Sequence, residues 1–353
     1  MSSVVLKGIE KNYSGFQALK DIELTVAAGE FLTLLGASGS GKTTLLNVVA
    51  GMIAPDRGTV VIGDRDVTHV PPRQRGLGMV FQSYALVPHM SVFDNIAFPL
   101  RIRRAAKAEI KERVGKILEI VQLGHIAHRK PRELSGGQQQ RVAIARCLVY
   151  APPVILMDEP LGALDKKLRE QLQQEIRRIH QDMGVTILYV THDQEEALFL
   201  SDRICLMRNG SIEQLGSPRE LYFNPANAFV ADFIGESNLL TCHVDGQGKV
   251  KLPSTGQMIR VLEAPGQPQD GEGRLMIRPD RIKVLTNSES MPNEISGVVE
   301  GIAFVGETTR YTVRSNSEVI TVKMPAGAGT AGLAPGAEIR LGWQPEDGLL
   351  LRG

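Results

Sequence analysis

The sequence lacks the features that would place a chain inside a membrane or give it a strong charge of one sign. Of its 353 residues, 40 are Lys or Arg and 39 are Asp or Glu, so no net charge points to nucleic acid or anionic lipid. No apolar run reaches the roughly 20 residues that a membrane-spanning helix needs. The opening MSSVVLK lacks the basic start and apolar core of a secretory signal, so we expect a cytoplasmic chain.

Cysteine is scarce as well. Cys147, Cys205 and Cys242 are far apart and odd in number, which favours reduced thiols over a disulfide framework. His125 and His128 are three positions apart, but no nearby Cys or further His completes a tetrahedral set, so we expect no metal there.

With 42% apolar residues the chain has enough material for ordered cores, and its length suits two domains.

What the sequence does contain is a complete phosphate-binding loop. Residues 30–35 predict a buried strand, residues 36–43 read GASGSGKT, and helix-forming residues follow to Ala50. Glycines let backbone N–H groups converge on phosphates, and the helix N-terminus adds its positive dipole end. We expect Lys42 to reach the β- and γ-phosphates and the Thr43 hydroxyl to ligate Mg²⁺. A chance glycine-rich turn is the alternative, and the strand-loop-helix context makes it improbable.

A second glycine-led motif, LSGGQ at residues 134–138, opens a predicted helix that runs to about Leu148. Ser135 is the expected N-cap, and the glycines after it expose the N–H groups of the first turn. Such a helix end binds anions, yet the chain already has a phosphate site in its own loop. The second anion site therefore calls for another explanation.

Two adjacent carboxylates follow a buried strand. Residues 154–157 are all apolar, which is typical of a strand covered on both faces in a mostly parallel sheet. We expect Asp158 to hold the Mg²⁺ shell and Glu159 to orient or deprotonate the attacking water. The alternative, that the two acids merely cap the next helix, is weak after the preceding motifs. A short predicted strand, residues 78–82, ends at Gln82, and another buried strand, residues 186–191, ends at His192.

In this order, the motifs make roughly the first two thirds of the chain resemble the ATP-binding cassette (ABC) ATPases. The resemblance implies that residues 134–138 close on the γ-phosphate held by a facing subunit, so that two chains sandwich two ATP molecules. It also implies that Tyr13 stacks on adenine, that Gln82 touches Mg²⁺ and the attacking water, and that His192 contacts the γ-phosphate. Residues 161–165 match the family's loop at the dimer seam, where Gly162 stands in place of a frequent Ser.

The resemblance thus implies three sets of residues. The catalytic set is Glu159, His192 and Gln82; the metal set is Thr43, Gln82 and Asp158; the nucleotide-binding set is Tyr13, Gly36, Ala37, Ser38, Gly39, Ser40, Gly41, Lys42, Thr43, Thr44, Ser135, Gly136, Gly137 and Gln138. The implied cofactors are ATP and Mg²⁺.

The implied fold class is α/β: a P-loop NTPase cassette with a mostly parallel sheet and a helical subdomain at about residues 90–150. Within this subdomain, the spacing of apolar residues predicts an amphipathic helix over 106–123. Residues 83–90 form an oddly apolar loop, which suggests an interaction site, although the loop could instead lie beneath the domain's own helices. An apolar stripe from Leu168 to Met183 predicts a helix that packs on the core.

After residue 235, short β-rich runs separated by Gly, Pro and Asn replace the helical periodicity, which predicts a small antiparallel barrel. This part resembles the OB-type (TOBE) barrels of importer ATPases for maltose, polyamines, sulfate and ferric iron. We therefore place an ABC nucleotide-binding domain at 1–236 and a TOBE domain at 237–353. Dimer contact or regulation is the expected use, since no basic, aromatic groove points to oligonucleotides.

The leading hypothesis is the energy-coupling ATPase of a bacterial ABC importer. It would act as a homodimer at the cytoplasmic face of the inner membrane, with two permease subunits and, indirectly, a solute-binding protein. The overall sequence looks most like the spermidine/putrescine type, while sugar, phosphonate, sulfate and ferric iron remain open. A soluble cassette acting on ribosomes or DNA is a rival, but it would usually carry two cassettes or a coiled-coil insert. A module that binds ATP without turnover is another, and the intact Lys42, Gln82, Glu159 and His192 argue against it.

Overall fold

The computed structural model describes residues 2–162, 165–245, 249–262, 270–286, 288–327 and 333–352. The chain divides into two compact units, Met1–Pro218 and Arg219–Gly353. This division falls before the predicted boundary at 236/237, which stays a prediction. Over the described ranges, no helix has both the length and the apolar character needed to span a membrane.

The first unit contains two sheets. Its strands are β1 (Val4–Tyr13), β2 (Phe16–Val26), β3 (Phe31–Leu35), β4 (Arg57–Ile62), β5 (Arg65–Asp66), β6 (Gly78–Val80), β7 (Val154–Asp158), β8 (Thr186–Thr191), β9 (Arg203–Arg208) and β10 (Ser211–Gly216). An antiparallel sheet has the order β2-β1-β4-β5, and a larger sheet has the order β10-β9-β3-β8-β7-β6. The strands from β9 to β6 are mutually parallel, and β10 pairs antiparallel with β9. The prediction of a mostly parallel sheet is confirmed.

The helices of the first unit are α1 (Lys42–Ala50), α2 (Pro72–Arg75), α3 (Val92–Ile102), α4 (Lys107–Ile120), α5 (Gly136–Leu148), α6 (Lys166–Met183) and α7 (Gln194–Leu200). Helices α3, α4 and α5 pack together as the predicted helical subdomain. The amphipathic helix predicted over 106–123 is α4, and its apolar residues Ile110, Val114 and Ile117 are buried. In α6 the central residues of the predicted stripe, Leu172 and Ile176, are buried in the same core.

The order of the parallel sheet explains where chemistry can occur. All residues of β3 and β8 are buried, so these strands are fixed from both faces. Leu35 pairs with Thr191 and Asp158 pairs with Val190, which sets the carboxyl ends of β3, β7 and β8 side by side. Ligands of open parallel sheets bind at this edge, because the loops that leave the strands meet there.

The second unit consists mostly of strands. They are β11 (Asn238–Val244), β12 (Val250–Lys251), β13 (Met258–Ile259), β14 (Gly271–Ile277), β15 (Lys283–Leu285), β16 (Asn293–Val305), β17 (Thr308–Ser315), β18 (Glu318–Pro325), β19 (Glu338–Trp343) and β20 (Gly348–Arg352), preceded by α8 (Pro218–Phe223) and α9 (Ala228–Phe233). Two antiparallel sheets, β13-β12-β11-β14-β20 and β15-β19-β16-β17-β18, share one core that includes the fully buried Trp343. The predicted small all-β domain is confirmed.

Candidate functional site

The phosphate loop, residues 36–43, joins the end of β3 to the start of α1, and its backbone requires glycine. Gly36, Gly39 and Gly41 have φ values of 154°, 80° and 104°. A Cβ atom on Gly36 would lie 2.4 Å from the carbonyl oxygen of Met207. The loop therefore keeps its backbone N–H groups unobstructed at the N-terminus of α1, where an anion is favoured.

Replacing Gly36 with Ala should lower the free energy of unfolding by about 1–3 kcal/mol, because the added methyl group would collide with backbone. The matched control is Gly162→Ala, where the nearest atom is 3.6 Å from the Cβ position and no positive φ is needed. We expect that control to stay within about 0.5 kcal/mol of the wild type. Urea denaturation measures both, and equal stability of the two variants would show that the packing argument is wrong.

Lys42 is the buried cation of the loop. Its side chain is 5% exposed, and Nζ donates hydrogen bonds to the carbonyl oxygens of Gly36 (2.8 Å) and Ala37 (2.9 Å). Burial lowers the pKa of the Lys42 ammonium, while the nearby carboxylates of Glu159 and Asp158 act in the opposite direction. The ammonium is thus held by carbonyl oxygens of the loop that leads into α1, where it is well placed for a phosphate.

The two carboxylates predicted from β7 lie at the same edge. Asp158 Oδ1 accepts a hydrogen bond from Thr43 Oγ1 at 3.3 Å, and burial raises the pKa of Asp158. Glu159 has a positive φ of 43°, a strained conformation of the kind found at functional sites, and its backbone N–H donates to Val190 at 3.0 Å. Its Oε1 lies 3.2 Å from Nδ1 of His192. The structure thus brings Thr43, Asp158, Glu159 and His192 together.

Gln82 also reaches this edge, although the strand before it is shorter than predicted. The sequence predicts a strand over 78–82, whereas β6 ends at Val80 and leaves Gln82 exposed. The Cβ position of Gly162 is 3.9 Å from Gln82 Nε2 and 4.0 Å from Glu159 Oε2, so both side chains lie near Gly162. Ala163 and Leu164 of the predicted seam loop lie outside the described residues.

A cavity of about 410 Å³ opens over the phosphate loop. Its lining residues are Tyr13, Phe16, Ala18, Ser38, Gly39, Gly41, Lys42, Thr43, Thr44 and Glu159. Tyr13 and Phe16 are direct partners across β1 and β2, so their side chains lie on one face of the hairpin, 45% and 56% exposed. Phe16 was not among the predicted site residues, although an aromatic residue just after a Ser-Gly turn is a visible signal in the sequence.

The LSGGQ segment has the predicted capped helix end but lies apart from this cavity. The Ser135 hydroxyl accepts from Gln138 N at 3.4 Å, and Ser135 N donates to Gln138 Oε1 at 3.0 Å, which forms a capping box. A Cβ on Gly137 would lie 2.7 Å from Leu168 Cδ1, so that a larger residue there would require the Leu168 side chain to shift. Among the described residues that line the cavity, none comes from 134–138. The chain therefore has two helix N-termini of the kind that favours anions, at α1 and at α5, in different places.

The apolar loop at residues 83–90 is partly buried and partly exposed. Tyr84 and Leu86 pack against the core of the helical subdomain, and Arg146 donates hydrogen bonds to the carbonyl oxygens of Tyr84 (2.8 Å) and Ala85 (2.7 Å). Pro88 is exposed. The packing of Tyr84 and Leu86 fits the interpretation in which the loop lies beneath the domain's own helices, and the interaction site stays a prediction for the exposed residues.

Comparisons with known proteins agree with this geometry. The ABC transporter family matches residues 19–162, and the TOBE domain family matches residues 275–351. The spermidine/putrescine import ATP-binding protein PotA of Thermobifida fusca is 44% identical, and the match covers 99% of this chain and 94% of that protein. The Fe(3+) ions import ATP-binding protein FbpC of Agrobacterium fabrum is 45% identical, with 89% and 88% covered.

Solved structures show the same fold over the first part of the chain. The dimeric, ADP- and Pi-bound post-hydrolysis state of the ATP-binding cassette MJ0796 has a TM-score of 0.55 at 36% identity, covering 61% of this chain and 99% of that one. CbiO1 of Clostridium perfringens, part of the ABC transporter complex cbiONQ, has a TM-score of 0.58 at 28% identity, with 62% and 89% covered.

Proposed function

The chain belongs to the ABC transporter family of import ATP-binding proteins, and we propose that it hydrolyses ATP to power the uptake of polyamines such as spermidine and putrescine. One observation supports this substrate class: similarity to a spermidine/putrescine import protein extends over nearly the whole chain, through both domains. The similarity to a ferric-iron import protein makes ferric iron the alternative substrate. In the proposed transporter the ATPase does not contact the transported solute, so the geometry of the ATP site favours neither polyamines nor ferric iron.

In the proposed mechanism, ATP lies along the cavity above the phosphate loop. The rings of Tyr13 and Phe16 hold the adenine, the loop N–H groups and Lys42 hold the phosphates, and Glu159 orients the attacking water and takes its proton. His192, next to Glu159, contacts the γ-phosphate. Gln82, whose side chain lies near Gly162 as that of Glu159 does, orients the same water.

The oxygen atoms at this edge fit Mg²⁺. Thr43 and Asp158 offer a hydroxyl and a carboxylate within 3.3 Å of each other, and Gln82 adds an amide oxygen. Over the described residues, no group of three or more His, Cys, Asp or Glu forms a dedicated metal cage. Mg²⁺ is commonly held by one or two protein oxygens together with substrate phosphates and water. When bound, it would neutralise charge on the β- and γ-phosphates.

The separation of the two anion-binding ends supports a homodimer. The capped end of α5 does not line the cavity of its own chain, so we assign it to the ATP held by a second copy. Each nucleotide then touches both chains, and closure depends on ATP. Two permease subunits would dock at the exposed part of residues 83–90, at the cytoplasmic face of the inner membrane, and a solute-binding protein would act on the far side.

The substrate assignment is tested by uptake. In host cells whose copy of this gene is disrupted, we expect loss of labelled spermidine uptake, restored by the wild-type chain and not by the Glu159→Gln variant. Labelled ferric iron serves as the parallel substrate. If the wild-type chain restores iron uptake and leaves spermidine uptake unchanged, the polyamine proposal is wrong while the ATPase assignment stands.

The aromatic hairpin provides a separate prediction. Substituting Phe16 with Ala should weaken ATP binding about tenfold, because base–aromatic stacking contributes on the order of 1–3 kcal/mol. Tyr13→Ala should have a similar effect. Phe223→Ala, which removes a 44% exposed ring from the second unit, is the control and should leave affinity unchanged. Titration with a fluorescent ATP analogue measures all three, and wild-type affinity in Phe16→Ala would rule that residue out.

A further inference from the structure

We propose that Arg169, Asp193 and Glu196 form a positioning link that holds His192 beside Glu159, an inference that rests on the ATPase function proposed above. None of the three residues lines the cavity over the phosphate loop. They act through His192, and we therefore treat them as positioning residues rather than catalytic ones.

His192 needs such support because packing does not fix its side chain. The ring is 58% exposed, and its contact with Glu159 Oε1 is 3.2 Å long. Because the ring is so exposed, its position depends on how firmly the backbone of His192 is held. Catalytic geometry is sensitive to this, since a displacement of about 1 Å can cost a large factor in rate.

The backbone on both sides of His192 is held by hydrogen bonds that converge on Glu196. Thr191 Oγ1 accepts from the N–H of Asp193 at 3.0 Å and donates to Glu196 Oε2 at 2.8 Å. Asp193 Oδ1 in turn accepts from the N–H groups of Glu195 (2.8 Å) and Glu196 (3.1 Å), which caps α7. The residues before and after His192 are therefore tied to one short helix.

Glu196 is a buried carboxylate and needs a cation to stay in place. Its side chain is 2% exposed, and Oε2 also accepts from the Tyr189 hydroxyl at 2.8 Å. Arg169 supplies the charge to both acids: Nη1 is 2.9 Å from Asp193 Oδ2, and Nε is 3.8 Å from Glu196 Oε1. A planar guanidinium can bridge two carboxylates in this way, which a single ammonium cannot do as well.

The link ties His192 to the start of α6. The backbone N–H of Arg169 donates to the carbonyl oxygen of Asp165 at 2.9 Å, and the Asp165 side chain caps the same helix through the N–H of Leu168 at 3.0 Å. Asp165 ends the segment that is predicted to lie at the dimer seam. The ion pairs of Arg169 therefore connect Asp165, at the start of α6, with the backbone around His192.

A double-mutant cycle on ATP turnover tests the link. Arg169→Ala should lower kcat about tenfold and leave KM for ATP within about twofold, because the nucleotide contacts are untouched. In a His192→Ala background the same substitution should change kcat less than about twofold, since the residue it positions is absent. An equal loss in both backgrounds, or no loss in the wild type, would overturn the proposal.

Two further variants separate positioning from folding. Glu196→Gln keeps the size and an acceptor for Tyr189 and Thr191 while removing the charge that Arg169 pairs with, and it should lose kcat only when His192 is present. If Arg169→Ala does not fold, the turnover of Glu196→Gln tests the proposal instead. Arg169→Lys should recover part of the rate, because it restores the cation. Asp182→Ala, which breaks the 3.0 Å ion pair with Arg178 on the same helix, is the control and should keep wild-type turnover.

The outcome also separates this proposal from its premise. If His192→Ala alone leaves turnover unchanged, the role assigned to His192 is wrong and the link has nothing to position. If His192→Ala lowers turnover and both Arg169→Ala and Glu196→Gln retain the wild-type rate, the link is wrong and the ATPase mechanism stands.

Discussion

The Glu159→Gln variant is expected to hydrolyse ATP about 10²–10⁴-fold more slowly than the wild-type chain. Glu159 follows the buried strand β7, lines the cavity over the phosphate loop and lies 3.2 Å from His192. An amide of the same size keeps the packing but cannot take a proton from water. Phosphate release under saturating ATP measures the effect directly.

The matched control is Glu170→Gln. Glu170 is an exposed carboxylate on α6 whose ion pair with Lys166 is 4.0 Å long, so its loss should not affect turnover. The Kd for ATP should stay within about threefold in both variants, since neither substitution removes a phosphate contact. Turnover in Glu159→Gln equal to that of Glu170→Gln would show that the base has been assigned to the wrong residue.

Lys42→Ala should abolish most of the affinity for ATP. Hydrogen bonds to charged groups contribute about 1.5–3 kcal/mol each, so we expect the Kd to rise about 10- to 150-fold. Among the described residues, no carboxylate is in hydrogen-bond contact with the buried Lys42 ammonium, and the burial that lowers its pKa would be offset by a bound phosphate. Equilibrium titration with a labelled nucleotide gives the Kd.

The control for Lys42→Ala is Lys116→Ala. Lys116 is an exposed lysine on α4 that pairs with Glu112 at 2.7 Å, and its loss should leave nucleotide affinity unchanged. Circular dichroism would confirm that both variants are folded, because Lys42 also holds the carbonyl oxygens of its own loop. Wild-type affinity in a folded Lys42→Ala chain would contradict the phosphate-loop assignment.

The parts of the site that the sequence predicts are those fixed by local pattern. The glycines of the phosphate loop, Asp158 with Glu159, and His192 each follow a run of apolar residues, and such runs form the strands of a parallel sheet. Because all these strands end at one edge, predicting the strands was enough to predict that the side chains meet. The all-β second unit could also be predicted, from the short β-rich runs of its sequence.

The parts that the sequence could not predict depend on distant residues. Glu196 lies 3.8 Å from Arg169, 27 positions earlier (196 − 169), and nothing in either local segment indicates that the two side chains are neighbours. The close approach of Gly137 to the Leu168 side chain on another helix is likewise not visible in any motif. Strand β6 ends at Val80 although the next residue, Phe81, is also apolar, so the apolar pattern alone does not mark where the strand ends.

The most direct test of the shared nucleotide site is the molar mass of the Glu159→Gln chain in solution, measured by light scattering with and without ATP. With ATP present, the assignment of the α5 end to a second copy predicts particles of twice the mass of one chain, and Ser135→Arg in the same background should prevent their formation. Particles of single-chain mass at saturating ATP would contradict it, because each ATP would then be held by one chain alone.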